Sequence, residues 1–148
     1  MAQPVQSWLL LAYKVPRDPT ANRVSVWRKL KRLGAVLLND AAWVLPATPK
    51  TAEQFQWLAM EIKELGGEYT LWEAKLLLDG HGQDLMERFD AQVEAPYRKI
   101  LTELKRKKAD LAVLSRRYQQ VRAQDYFHSE LGRRVFETLT SAREAALK

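Results

Sequence analysis

The segment RVSVWRKLKRLG, residues 23–34, carries five Lys/Arg side chains on twelve positions, threaded by Val24, Val26, Trp27, Leu30 and Leu33. Cations at this density suit phosphate contact, where each Lys or Arg that meets a nucleic acid backbone releases counterions. On a wheel of about 100° per residue, Val26, Leu30 and Leu33 group together with Trp27 on the flank. Arg28, Lys29, Lys31 and Arg32 occupy the opposite face, and Arg23 falls nearer the apolar side. No Glu stands four residues before or after any of them, whereas a helix serving stability alone usually pairs its charges at that spacing. The competing reading is a solvated face kept polar, the ordinary role of charge runs on amphipathic helices.

A second basic concentration lies in the C-terminal half: Arg98, Lys99, Lys105, Arg106, Lys107, Lys108, Arg116, Arg117, Arg122, Arg133 and Arg134. Two basic regions on one small chain suit a long polyanion better than a small ligand. From this half, Lys105, Arg106, Lys107, Arg116 and Arg117 join the candidate contacts.

Other chemistry is weakly marked. Asp125, His128 and Glu130 are metal-ligating types, but their spacing fits no specific metal motif, and AQDYFHSELGRR reads better as a helix break with Ser129 as N-cap. Asp18 follows the first strand, where some ferredoxin-like nucleases keep a metal-binding acid; its Pro-Arg-Asp-Pro loop has basic neighbours. Nothing sets a nucleophile beside a base, and there is no P-loop and no GxGxxG. The expectation is a non-enzyme without a cofactor, with a metal-dependent nuclease using Asp18 as the weaker alternative.

The chain has 148 residues, 47% hydrophobic and 28% charged, a composition of a globular protein able to bury a core. Its net charge of +6 favours polyanionic partners. With no cysteine there is no disulfide framework and no thiolate zinc site. No stretch approaches the roughly 18 apolar residues of a membrane span, and the N-terminus lacks signal-peptide features. The expected setting is the cytoplasm, away from membranes.

The elements that would position these residues fall into two textures. SWLLLAYKV is a strand ending at Pro16. A helix over about 21–33 follows, with Thr20 as cap and Gly34 as stop. AVLLNDAAWVLP divides at Asn39-Asp40 into a hairpin of two short strands or one bent strand. Phe55, Leu58, Ala59, Ile62 and Leu65 mark a helix over 52–65, capped by Thr51. EYTLWEAKLLL is a final strand. The order β-α-β-β-α-β is the split βαβ arrangement of an α+β, ferredoxin-like domain over residues 7–79, whose sheet can leave one face open. Most of the five tryptophans are expected in the core. Trp57 stands off its helix stripe, to pack against the helical half or a second copy.

Residues 83–148 read as an all-helical extension packed with the first domain as one unit. Leu85, Phe89, Val93, Tyr97, Ile100 and Leu104 form a stripe that Pro96 should kink or break. Leu111, Leu114, Tyr118 and Val121 continue it, so 83–124 is one helix or two, with Asp110 as cap in the second case. A terminal helix starts near Ser129 and carries Leu131, Val135, Leu139, Ala142 and Ala146.

WLLLAYKVPRDPTANRVSVWRKLKRLGAVLLNDAAWVLPATPKT and LGGEYTLWEAKLL together resemble the N-terminal domain of the ChrB family of bacterial chromate-resistance regulators. SRRYQQVRAQDYFHSELGRR resembles the end of that domain. The YKVPR, WRKLKRLGAV and WVLP segments are also similar to the middle domain of PaaX-type repressors and, more distantly, to small CRISPR-associated ferredoxin-fold nucleases. The resemblance implies a DNA-binding transcriptional regulator domain of the chr operon, with promoter double-stranded DNA as partner. A homodimer and a separately encoded chromate-sensing protein are further implied partners. An interaction module without direct DNA contact is the alternative. Onto matching positions the resemblance carries Arg23, Arg28, Lys29, Lys31 and Arg32.

Overall fold

The computed structural model describes residues 7–78 and 80–147. The order is β1 (Trp8–Lys14), α1 (Thr20–Leu33), β2 (Val36–Leu38), β3 (Ala42–Pro46), α2 (Pro49–Glu64), β4 (Glu68–Ala74), α3 (His81–Leu104), α4 (Leu111–Arg122) and α5 (Glu130–Ala146). It is a mixed α and β chain that divides into two compact units, one running through Asp84 and the other from Leu85.

The sheet of the first unit has the order β2-β3-β1-β4, with every neighbour antiparallel. Asn39 and Asp40 both take positive φ, which turns β2 into β3, closed by the Ala41 amide donating to the Leu38 carbonyl at 2.9 Å. Residues directly opposed across strands share a face. Leu11 stands opposite Trp43 and Leu71, so these belong to one side, and Leu10, Val44 and Trp72 to the other. Leu9, Leu11 and Leu45 are buried on the first side, and Trp8 and Val44 on the second. The central strands thus bury apolar residues on both faces, so neither face is wholly open; most exposure lies on the β4 edge, where Trp72 is 60% exposed. β4 stops at Ala74, short of the expected Leu78.

Both helix starts of this unit differ from expectation. Pro19, in extended conformation, is the N-cap of α1 without a side-chain bond, and Thr20 is already helical. At α2, Thr48 is the cap and Thr51 sits at the third helical position of a reciprocal capping box. Thr51 is buried and its hydroxyl also donates to the Pro46 carbonyl, which ties the helix start to the end of β3. Pro49 at the first helical position has its φ preset and loses no needed donor. Gly34 ends α1 at φ 79°, a conformation glycine adopts without a Cβ penalty. α2 packs on β1 and β4, and α1 on α2. Val26 and Leu30 of α1 and Phe55, Leu58, Ala59 and Ile62 of α2 are buried, each larger side chain contributing about 1.5–3 kcal/mol. Trp8 and Trp43 join this core, whereas Trp27, Trp57 and Trp72 are exposed, fewer core tryptophans than expected.

In the second unit, α3 runs unbroken through Pro96, which lies on its exposed side. The proline removes one helical donor, but the buried stripe of Leu85, Phe89, Val93, Tyr97 and Ile100 holds the segment helical around it. Residues 83–124 are two helices, and Asp110 caps the second by accepting from the Val113 amide at 3.2 Å. The core joins Val93, Tyr97 and Ile100 of α3 to Leu114 and Tyr118 of α4 and Val135 and Leu139 of α5. Among the described residues no helix is long and apolar enough to cross a membrane.

Candidate nucleic-acid interface

One flank of α1 faces the end of β1 and the β2–β3 hairpin across a cleft of about 750 Å³. On the helix, Arg23 and Arg28 bracket Val24 and Trp27; the opposing wall holds Tyr13, Leu37 and Trp43, and Lys14 and Arg17 stand at the end of β1 and in the loop after it. Trp27 is 51% exposed, and the Lys31 ammonium lies 6.0 Å from the centre of its ring. The charge is lopsided: Lys14, Arg17, Arg23 and Arg28 face one carboxylate, Asp40. Among the described residues these four cations make no ion pair. Burial pushes the Tyr13 phenol up, against the opposing pull of the Trp43 indole and the Arg23 guanidinium. Four cations around an accessible indole can take phosphates and a flat π-face together.

The basic residues expected from the sequence separate here. Arg23, placed nearer the apolar side by the wheel, joins Arg28 in the cleft. Lys29, expected to be unpaired, is bonded to Glu61 of α2. Lys29 and Arg32 line a different groove, about 530 Å³, between α1 and α2, with Leu33, Trp57, Met60 and Glu64. Lys105, Arg106 and Lys107 are exposed in the turn between α3 and α4, and Arg116 is exposed on α4. Arg117 is bound 2.7 Å from Glu103, whose carboxyl it holds below the usual carboxylate range. Lys14, Arg17 and Tyr13 were not expected in this cleft; the only signal for them was the YKVPR run, where a strand end and a proline loop hide their proximity to α1.

Asp125, His128 and Glu130 serve separate ends. Asp125, 8% exposed, accepts from the Tyr97 hydroxyl at 2.9 Å and from the Ser129 amide at 3.0 Å. Ser129 caps α5 by accepting from the Gly132 amide at 3.2 Å. A Cβ on Gly132 would lie 2.8 Å from both the Tyr97 ring and Asp125 Oδ2, so only glycine lets α5 approach this closely. His128 is exposed, and Glu130 pairs with Arg133. Among the described residues no group of three His, Cys, Asp or Glu could hold a metal ion. Burial pushes the Tyr126 phenol up to about 12 and Tyr97 higher still. Asp18 is exposed in its loop.

Protein ChrB of Cupriavidus metallidurans (strain ATCC 43123 / DSM 2839 / NBRC 102507 / CH34) is 27% identical over 146 residues, covering 90% of this chain and 44% of the relative. The chain thus spans less than half the length of that relative. The family described as "Protein ChrB, N-terminal" matches residues 23–113, from α1 into the first turn of α4. That match takes in more than half of the chain, which therefore belongs to the family of ChrB N-terminal domains.

Proposed function

We propose that this chain is the DNA-contacting, non-enzymatic part of a chromate-resistance regulator, working in the cytoplasm on promoter DNA. The strand–helix order and the sheet order support reading its first unit as ferredoxin-like, with the helices from His81 as an extension. Family membership supports the regulatory setting. The observation that carries the DNA reading is the cleft in which Lys14, Arg17, Arg23 and Arg28, which make no ion pair among the described residues, surround Trp27. The exposed 105–107 turn and Arg116 extend the positive surface of the second unit. A separate chromate-sensing protein supplies the effector response. Anisotropy titrations of the promoter duplex and of a random duplex of equal length test this. The promoter should bind more tightly; absence of binding to either would sink the proposal.

A second reading, an interaction module that pairs with a second copy, is favoured by the α1–α2 groove. Trp57, 65% exposed, and Met60 stand beside walls of opposite charge, Lys29 and Arg32 on α1 against Glu61 and Glu64 on α2. Lys29 and Glu61 are paired within the chain, and the Arg32 and Glu64 charges beside Trp57 and Met60 suit a two-fold pairing in which each copy's cation meets the other's carboxylate. Sedimentation equilibrium should give a dimer that Trp57→Glu dissociates; a monomeric parent chain at tens of micromolar excludes this pairing.

A further inference from the structure

We infer that the cleft beside α1 takes an unstacked nucleotide, its base against Trp27 and its phosphates among Arg17, Arg23 and Arg28. The chain then prefers single-stranded or locally unpaired DNA to a fully stacked duplex. This rests on the nucleic-acid reading above and narrows it.

The shape of the site is the first argument. A helix about 10–12 Å across fills a major groove about 12 Å wide. The flank of α1 that carries Arg23, Val24, Trp27 and Arg28 is faced by Leu37, Asp40, Ala41 and Trp43 of the hairpin. With that second wall present, this flank has no room to lie in a groove. A concavity of about 750 Å³ instead falls within the roughly 300–1,000 Å³ of sites that enclose small organic groups. The object it encloses must project from its polymer, as an unstacked base does.

The lining is the second argument. Trp27 is the largest exposed π-surface in the cleft, and the Lys31 ammonium lies over its ring, 6.0 Å from the centre. Val24 and Leu37 offer apolar contact to a base plane, while the Tyr13 hydroxyl, held in place by the Trp43 indole, and the Asp40 carboxylate offer hydrogen-bond partners for a base edge. Bases of every kind stack on such a platform, so what this cleft adds is a preference for unpaired structure over stacked structure, whichever base is unpaired. Among the described residues Lys14, Arg17, Arg23 and Arg28 make no ion pair, so no salt bridge there must break before phosphates enter.

The test uses the full chain and three labelled 20-nucleotide probes of one sequence: single strand, matched duplex, and duplex with one unpaired thymine. The single strand and the bulged duplex should bind more tightly than the matched duplex. Trp27→Leu, at an exposed position that tolerates an apolar side chain, should cost the single strand about 5- to 150-fold in affinity, the range that one lost stacking contact gives. Trp27→Phe should restore most of it. Equal affinity for all three probes, unchanged by Trp27→Leu, overturns the inference while leaving DNA binding intact. No binding to any probe overturns the nucleic-acid reading itself. A free nucleoside monophosphate that binds as tightly as the single strand overturns the assignment to a polymer.

Discussion

Arg28 and Lys29 are adjacent on α1, yet the structure gives them different work, and replacing each with Ala separates the two roles. Arg28 lines the cleft without an ion pair, whereas the Lys29 ammonium is bonded to Glu61. For duplex DNA, log affinity falls against log salt with a slope of about −0.9 per phosphate contact. Arg28→Ala should therefore make the slope shallower by about 0.9. Over a fourfold rise in salt, from about 50 to 200 mM, the variant then loses roughly 3.5-fold less affinity than the parent. Arg23→Ala combined with Arg28→Ala should double the change in slope, a difference of about 12-fold across the same range. Lys29→Ala should leave the slope in place. Its cost is in stability, about 0.2–1 kcal/mol, because both partners are more than a third exposed in side-chain area (39% and 34%) and screened by water. The assay is fluorescence anisotropy at several salt concentrations, with urea unfolding alongside. If Lys29→Ala flattens the slope as much as Arg28→Ala does, the whole basic face of α1 meets DNA and the cleft is not the site.

Three further expectations concern the second unit. Asp125→Ala strands the buried Tyr97 hydroxyl and the Ser129 amide, at about 1–3 kcal/mol each. In urea it should lose clearly more stability than Tyr97→Phe, which removes the donor along with the bond; equal losses would contradict the proposed network. Gly132→Ala should cost about 1–3 kcal/mol in the same assay, since its Cβ would press on the Tyr97 ring at 2.8 Å; a neutral outcome would show that α5 can move aside. Burial first, then Asp125, Glu94 and Glu87, hold the Asp90 carboxyl above its ordinary value of 3.8, and its Oδ1 is buried without a hydrogen-bond partner. Folding raises this pKa, so the stability it contributes is present below 3.8 and lost as pH rises through the folded value. Asp90→Asn should therefore raise the melting temperature at about pH 7, with the gain shrinking toward about pH 3.5; a gain independent of pH would refute the titration argument.

Much of the architecture was legible because local periodicity agrees with tertiary burial. The stripe Phe55, Leu58, Ala59, Ile62 became the buried face of α2, and Asp110 and Ser129 cap the helices they were expected to cap. The errors arose where local rules compete. Thr51 had the chemistry of a cap, but Thr48 stands before a proline suited to the first turn, so Thr51 became its reciprocal partner. Pro96 carried a break signal that the packed stripe on either side overrode. The candidate site was half legible. Arg28 was named from the helix wheel and Arg23 through the resemblance, whereas Lys29, expected to be unpaired, meets Glu61, 32 residues away in sequence. Arg17 and Lys14 were invisible as contacts because only the return of α1 across the end of β1 brings them beside Trp27.

The measurement that bears most directly on the central claim is the salt dependence of DNA binding by the unaltered chain. If each of the four cleft cations, Lys14, Arg17, Arg23 and Arg28, meets one phosphate, the log–log slope is about −3.6 on duplex DNA and about −2.8 on a single strand, steeper where the 105–107 turn also reaches phosphates. A slope close to zero, or no binding at about 50 mM salt, would contradict the assignment of this cleft to nucleic acid.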